Sequence, residues 1–342
     1  MFSRIAKAGT IIAAWVNVGA LWALTMCAMT SLPLAADEIV VRVNTFPNAK
    51  ALPLFAGIAT GIFDKRGLKV QLSLTENSLK QREGLAAGEF EIVHAAVDNA
   101  VAMVEVANKD VVIVTGGDSG MNEFFVQPDI KSFADLRGHI VVVDAPDTAY
   151  ALQAKKILAQ NGLKENADYV VKPVGAGVFR LKAMAENKEN AGAILNLPFT
   201  VQAEQIGLKS LGRTIDLLGP YQAAGAFAMR DWARRNSATL ERYIAAYVEA
   251  LRWVRDPANR SQAVALLIDK LKVPQLVAER TYDRLLDPNF GFTPDAKFDP
   301  VGFRNMLALR AEIASQPPSK SPSADRYVDL SYYEHAMARP VR

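Results

Sequence analysis

The chain is predicted to fold as an α/β protein of two similar lobes, each a mostly parallel sheet flanked by helices. Two observations predict it. Short β-branched runs alternate with helical segments through the first two thirds of the chain, and this alternation occurs as two successive units. With 342 residues, 50% of them hydrophobic and 22% charged, the chain is long enough to bury two cores and too polar for a multi-pass membrane protein.

The first unit opens after residue 37. Ile39 to Val43 reads as a strand, and Leu52 to Phe63 as a helix with Pro53 near its start. Leu68 to Leu74 alternates with period two, a strand again. Leu79 to Ala87 is helical, Ile92 to His94 a short strand and Val97 to Asn108 a helix. Val111 to Val114 is a fully apolar strand ending in Gly116-Gly117. This order implies parallel strands covered on both faces. In the second unit Ile140 to Val143 is a strand, and Thr148 to Gln160 a helix stopped by Asn161-Gly162. Tyr169 to Val171 and Ala193 to Leu195 are strands on either side of a helix over Val178 to Glu186. After Phe227 the pattern turns helical, at Leu240 to Arg255, Ala263 to Leu271 and Val277 to Leu286. Gln316 to Ser323, rich in Pro and Ser, reads as a linker to a tail segment.

The first 36 residues have the build of a cleaved export signal. Arg4 and Lys7 precede the apolar run from Ile11 to Met29, and Pro33 and Ala35-Ala36 precede Asp37. Export to the periplasm is the expectation. Cys27, the only cysteine, lies inside this leader, so the mature chain is expected to carry no thiol chemistry and no disulfide. A lipoprotein box would want a small residue where Met26 stands, which argues against lipid anchoring there. The formal net charge is +3, and losing Arg4 and Lys7 with the leader leaves the two signs nearly balanced. That balance excludes the clustered basic excess of a nucleic-acid-binding surface.

Ligands in open parallel sheets sit beyond the carboxyl ends of the strands. Those ends supply Asn44-Thr45-Phe46-Pro47-Asn48-Ala49-Lys50, Thr75-Glu76-Asn77-Ser78, His94 to Asn99 and Gly116 to Ser119. The second unit supplies Asp144 to Tyr150, Val174 to Gly177 and Asn196-Leu197-Pro198-Phe199. Hydroxyl, amide, glycine and aromatic groups suit a small polar solute, and helix starts there favour an anion. Ser78, Asp147 and Thr148 are equally good helix N-caps. Lys50 is expected in solvent, and Asn196 can serve simply to start a turn. His94 is the most pointed candidate, either as a ligand donor or as a packed imidazole bonded to a carbonyl. Three scattered histidines make no metal cluster. Gly175-Ala176-Gly177-Val178-Phe179-Arg180 lacks the third glycine of a dinucleotide fingerprint, and no P-loop or Gly-x-Ser-x-Gly occurs, so no cofactor and no enzymatic constellation is expected.

Several stretches in ordered succession resemble the solute-binding proteins of nitrate, sulfonate and taurine ABC importers and their thiamine-precursor relatives. They are Leu54 to Val70, Gly84 to Val93, Ser132-Phe133-Ala134-Asp135-Leu136-Arg137-Gly138 and Tyr327-Val328-Asp329-Leu330-Ser331-Tyr332-Tyr333. The resemblance implies a two-lobed type II periplasmic-binding-protein fold. It places a signal peptide at 1–36, lobe 1 at 37–118, lobe 2 at 119–225, and a return to lobe 1 at 226–342. It implies a small anionic or heteroaromatic ligand enclosed by hinge closure, an ABC permease of the inner membrane as partner, and a monomeric chain. By position, ligand contacts would come from Thr45, Asn48, Asn77, Ser78, Asp98, Thr148, Gly177 and Asn196, with His94 added from its place at a strand end. Glu91 and Asn190 stand where relatives usually carry aspartate. The cysteine cluster of the pyrimidine-forming relatives has no counterpart in the mature chain. A small-molecule enzyme on the same fold, or a sensor presenting its ligand to a membrane kinase, are the alternatives.

Overall fold

The computed structural model describes residues 38–314 and 323–338. The leader with Cys27, and most of the Pro/Ser-rich linker, lie outside these residues. Two five-stranded sheets form, in the orders β2-β1-β3-β10-β4 and β7-β6-β8-β5-β9. The first contains β1 (Ile39–Thr45), β2 (Leu68–Leu74), β3 (Ile92–Ala96), β4 (Val111–Ile113) and β10 (Ala224–Met229). The second contains β5 (Asn122–Val126), β6 (Ile140–Val143), β7 (Val170–Pro173), β8 (Asn190–Asn196) and β9 (Lys209–Arg213).

The two sheets share one plan. In the first, β1 runs parallel to β2 and β3, with Val43 opposite both Leu72 and Ile92. β10 lies antiparallel between β3 and β4, Phe227 facing Val93 and Ile113. In the second, β6 is parallel to β7 and β8, and β5 is antiparallel between β8 and β9. In each sheet the opposed strand is the first one laid down after the chain arrives from the other sheet. Each sheet is therefore mostly parallel, as the sequence suggested, with four strands running one way and a single opposed strand making it mixed.

The sequence pattern did not predict those arriving strands or β9, although Phe124-Phe125-Val126 of β5 favours a strand. Ala224-Gly225-Ala226 is poor strand material by propensity. It is required because a Cβ on Gly225 would lie 2.4 Å from the Thr115 carbonyl oxygen. Close backbone approach, rather than propensity, selects the residues of β10.

Helices cover both faces of each sheet. On one face of the first, α1 (Leu52–Ala59), α9 (Ser237–Arg255) and α10 (Arg260–Leu271) pack Leu52, Tyr243 and Leu267 with Val41, Val43 and Ile92. On the other, α3 (Val97–Glu105) and α12 (Pro300–Ile313) pack Val101, Phe303 and Met306 with Val93, Ile113 and Phe227. α2 (Ser78–Ala87), α11 (Gln275–Leu285) and α13 (Ser331–Ala338) complete this half, and the short α8 (Arg230–Arg235) leads into α9. In the second sheet, Val141, Val143 and Ile194 face α4 (Ala149–Gln160), while Val142, Ala193 and Leu195 face α5 (Gly177–Glu186) and α6 (Phe199–Gln205). The alternation is the period-two pleat with apolar residues on both sides. α7 (Thr214–Leu218) precedes the return to β10.

The chain passes between the sheets twice, from β4 to β5 and from β9 to β10, and the two passages are bonded to each other. Ala223 and Ala224 N–H both donate to the Asp118 carbonyl, at 3.0 and 3.3 Å. Thr293 N–H donates to the Gly117 carbonyl at 3.0 Å. Gly116 is needed there, since a Cβ would meet the Lys297 carbonyl oxygen at 2.2 Å.

Candidate functional site

At the carboxyl ends of the parallel strands, between the two sheets and beside the paired passages, lies a cleft of about 750 Å3, counting the part open to solvent. Its rims touch across the gap. The Ser78 hydroxyl donates to the Asp144 carboxylate, and Ala176 N–H donates to the Glu76 carbonyl at 3.0 Å. Arg310 reaches the Asp147 carbonyl at 3.3 Å, and Lys156 pairs with Glu312 at 2.6 Å. The two rims are thus bonded to each other across the cleft.

Thr45, at the end of β1, donates its hydroxyl to the His94 carbonyl at 3.0 Å and lines the cleft. Asn48 also lines it, its Oδ1 accepting from Lys50 N–H at 3.0 Å to cap the short turn Ala49–Ala51. Lys50 lines the cleft too, contrary to its expected place in solvent. Its ammonium donates to Asp118 Oδ1 at 2.9 Å and to the Gly120 carbonyl.

Ser78 and Thr148 line the cleft without capping their helices. The cap of α2 is Asn77, whose Oδ1 accepts from Lys80 N–H at 2.9 Å. This frees the Ser78 hydroxyl for Asp144, and its oxygen accepts from Asn99 Nδ2 at 3.2 Å. Thr148 has extended backbone at the N-cap position of α4, but its hydroxyl donates to the Ala145 carbonyl at 2.9 Å. Asp147 likewise does not occupy the cap position.

His94 lines the cleft, yet its environment is a packed one. Its Nε2 bonds the Tyr243 hydroxyl at 2.9 Å, and its ring lies 4.3 Å from the Tyr247 ring centroid. Burial pushes its pKa down to about 3, so the imidazole is neutral at physiological pH. Burial, and then Asp118, raise the pKa of the Tyr247 phenol, which stays a neutral hydroxyl.

The other sequence candidates lie off the cleft wall. Asn77 is engaged as a cap at the rim. Asp98 is held by Arg310 through both carboxylate oxygens, at 2.8 and 2.9 Å, with both side chains 1% exposed. Gly177 packs under Phe199, where a Cβ would come within 2.4 Å of the ring. Asn196 stands behind Tyr150, donating to its hydroxyl at 3.0 Å. Arg180 also backs this ring, its guanidinium 4.3 Å from the centroid and its Nε and Nη1 on the Ile194 and Gly175 carbonyls. Tyr150 is thereby fixed with its ring at the cleft.

Tyr150, Gln153, Asn99 and Asn122 complete the polar lining, and Phe46, Tyr247 and Phe292 the aromatic one. Tyr150 and Asn99 fall within strand-end runs and were legible in position, though not in role. Tyr247 and Phe292 come from the helical C-terminal third, where no local pattern marks them. Among the described residues no group of His, Cys, Asp and Glu could hold a metal, and no helix is long and apolar enough to cross a membrane.

Two mixed α/β sheets joined by a pair of bonded crossings, with a small-molecule cleft between them, define the periplasmic-binding-protein class of fold. Solved structures share it. The periplasmic nitrate-binding protein of Synechocystis PCC 6803 is 16% identical, with a TM-score of 0.72 over 89% of each chain. The ligand-binding component of an ABC-type import system from Staphylococcus aureus is 14% identical, with a TM-score of 0.73 over 87% of this chain and 99% of that one. The periplasmic aliphatic sulphonate-binding protein of Escherichia coli is 18% identical, with a TM-score of 0.65 over 84% and 95%. No curated protein is significantly similar in sequence. Residues 35–268 match the NMT1-like family, and the chain belongs to that family.

Proposed function

We propose that this protein is the periplasmic solute-binding component of an ABC importer, which closes two lobes, 37–118 with 226–342 and 119–225, around a small solute and presents it to an inner-membrane permease. One observation carries the reading. Among the described residues the chain crosses between the two sheets only at the bonded passages around Asp118 and Ala224, while polar contacts on the rims, such as Ser78 to Asp144, span the cleft. Such a joint lets two rigid units rotate, and the rim contacts are the kind that closure makes and opening breaks. The family match and the likeness to binding components of importers support it. Nitrate and alkanesulfonates are candidate solutes by that likeness, and aromatic carboxylates and pyrimidines by the lining.

A binding role is favoured over catalysis by the state of the cleft's reactive groups. His94 is neutral and paired with a tyrosine, and the Ser78 hydroxyl runs straight to a carboxylate with no imidazole between them. The experiment is small-angle X-ray scattering across a solute panel that spans these classes. A saturating solute is expected to reduce the radius of gyration, and an unchanged radius at saturation rejects hinge closure.

A further inference from the structure

We infer that the lobes turn about a line of three contacts, the α4–α12 seam, the paired passages and the α6–α11 seam, so that only the rim between α2 and α5 parts to admit a solute. The inference rests on the hinge-closure reading and adds to it the axis of the motion and the side of entry.

The passages are flanked on both sides by helix pairs that join the lobes. On one flank α12 packs against α4. Ala151, Ala154 and Leu158 share one face of α4 and enter the core of the second sheet. Leu152, on an adjoining face and fully buried, belongs instead to a core of the first sheet, in one cluster with Phe303 and Met306 of α12. Lys156, one turn on from Leu152, pairs with Glu312 at 2.6 Å. On the other flank α11 packs against α6. Val201 of α6 is fully buried in the core on the opposite face of the first sheet, in one cluster with Val277 and Leu285 of α11. Glu204, one turn on from Val201, pairs with Arg284 at 2.6 Å. Each flank thus sinks one apolar side chain of the second lobe into the first and sets an ion pair beside it.

The rim between α2 and α5 is built differently. Its contacts are polar, Ala176 N–H to the Glu76 carbonyl at 3.0 Å and the Ser78 hydroxyl to Asp144. No apolar cluster of the described residues joins 76–78 to 144–147 or 175–177. Polar groups that part exchange their bond for bonds to water, with a small net change. Parting a seam would instead wet Leu152 or Val201 and the core beneath it, a loss that grows with the apolar area exposed. Points on an axis do not separate, so rotation about a line through both seams keeps these side chains buried and places the displacement at the rim. Of the four contacts across the gap, Ser78–Asp144 and Ala176–Glu76 therefore break on opening. Arg310 to the Asp147 carbonyl and Lys156–Glu312 persist.

The test bridges rim and seams separately with a short bismaleimide between paired cysteines. Cys27→Ser removes the one native thiol in every variant. Glu76→Cys with Phe179→Cys spans the rim. Both side chains are exposed, and a Cβ on Gly175 would lie 3.3 Å from the Glu76 carbonyl oxygen and 3.2 Å from the Phe179 ring. Lys156→Cys with Glu312→Cys spans one seam, and Glu204→Cys with Arg284→Cys the other. Amide hydrogen exchange at Ala176 is read with no solute added, each bridged variant against the same variant capped with N-ethylmaleimide. The rim bridge is expected to slow that exchange at least about tenfold, because opening frees the Ala176 N–H from Glu76. Either seam bridge is expected to leave it unchanged. Glu76→Cys with Val178→Cys, also exposed, repeats the rim test if the first pair does not fold. A seam bridge that slows Ala176 as much as the rim bridge does overturns the axis and leaves hinge closure standing. A rim bridge that leaves the Ala176 rate unchanged overturns the inference and hinge closure together.

Discussion

Asp98 is the residue on which the sequence reading and the structure make opposite predictions. By position it was a ligand contact; in the fold it is the buried partner of Arg310, with both side chains 1% exposed. Replacing it with Asn removes the charge from a site of the same shape. Arg310 would then be a buried cation facing the Asp147 carbonyl and a neutral amide, with the Asp147 carboxylate as the remaining counter-charge acting on it. Arg82 is tied to the same field: burial lowers its pKa, Asp98 opposes that, and Arg310 adds to it. Without the carboxylate the two guanidinium groups would repel each other directly. Removing one partner of a buried ion pair typically costs about 3–5 kcal/mol. For a chain of this size that corresponds to a melting point lower by on the order of 10 °C. Urea and thermal unfolding of Asp98→Asn, Arg310→Met and the Asp98→Leu/Arg310→Met double variant measure it. The double variant should recover most of the loss, because two apolar groups leave no charge stranded. Solute affinity should stay within about twofold of wild type, since Asp98 does not touch the cleft. A single variant within about 1 kcal/mol of wild-type stability but with tenfold weaker binding would refute the structural role and restore the sequence reading.

Three further outcomes follow from the site. His94 has a folded pKa of about 3 against an ordinary value of 6.5, so between those values the unfolded chain binds the extra proton and stability falls as pH drops. The His94 contribution is about 1.4 kcal/mol per pH unit in that window, and His94→Gln should flatten the profile of urea midpoints between pH 6.5 and 4.5 by that slope; an identical slope rejects the buried neutral imidazole. Thr148→Ala loses the bond to the Ala145 carbonyl and should reduce stability by about 0.5–1.5 kcal/mol, read by urea unfolding, with a larger loss pointing to a role the hydroxyl bond does not explain. Gly116→Ala forces a Cβ against the Lys297 carbonyl at the joint, where no flexible side chain can give way; a loss of at least about 2 kcal/mol is expected, and a variant as stable as wild type would show that the joint is looser than drawn.

The α/β class, the two-sheet plan and most strands and helices were legible in the sequence because each rests on local periodicity. Ile140 to Val143, Leu68 to Leu74 and the α4 pattern declare themselves through which residues are apolar and how they are spaced. The strand ends, and with them Thr45, Asn48, Ser78, His94 and Thr148 on the cleft wall, followed from the rule that open sheets bind at carboxyl ends. What only the tertiary structure decided depends on residues far apart in the chain. β5 and β10 exist because an arriving chain finds an open sheet position, and the Ala-Gly-Ala of β10 is chosen by the Thr115 carbonyl above it. Lys50 is drawn from solvent into the cleft by a carboxylate 68 positions away, and Asp98 is drawn off it by an arginine 212 positions away. A charged side chain goes where its counter-charge is, and a linear sequence names the charges without saying which of them meet.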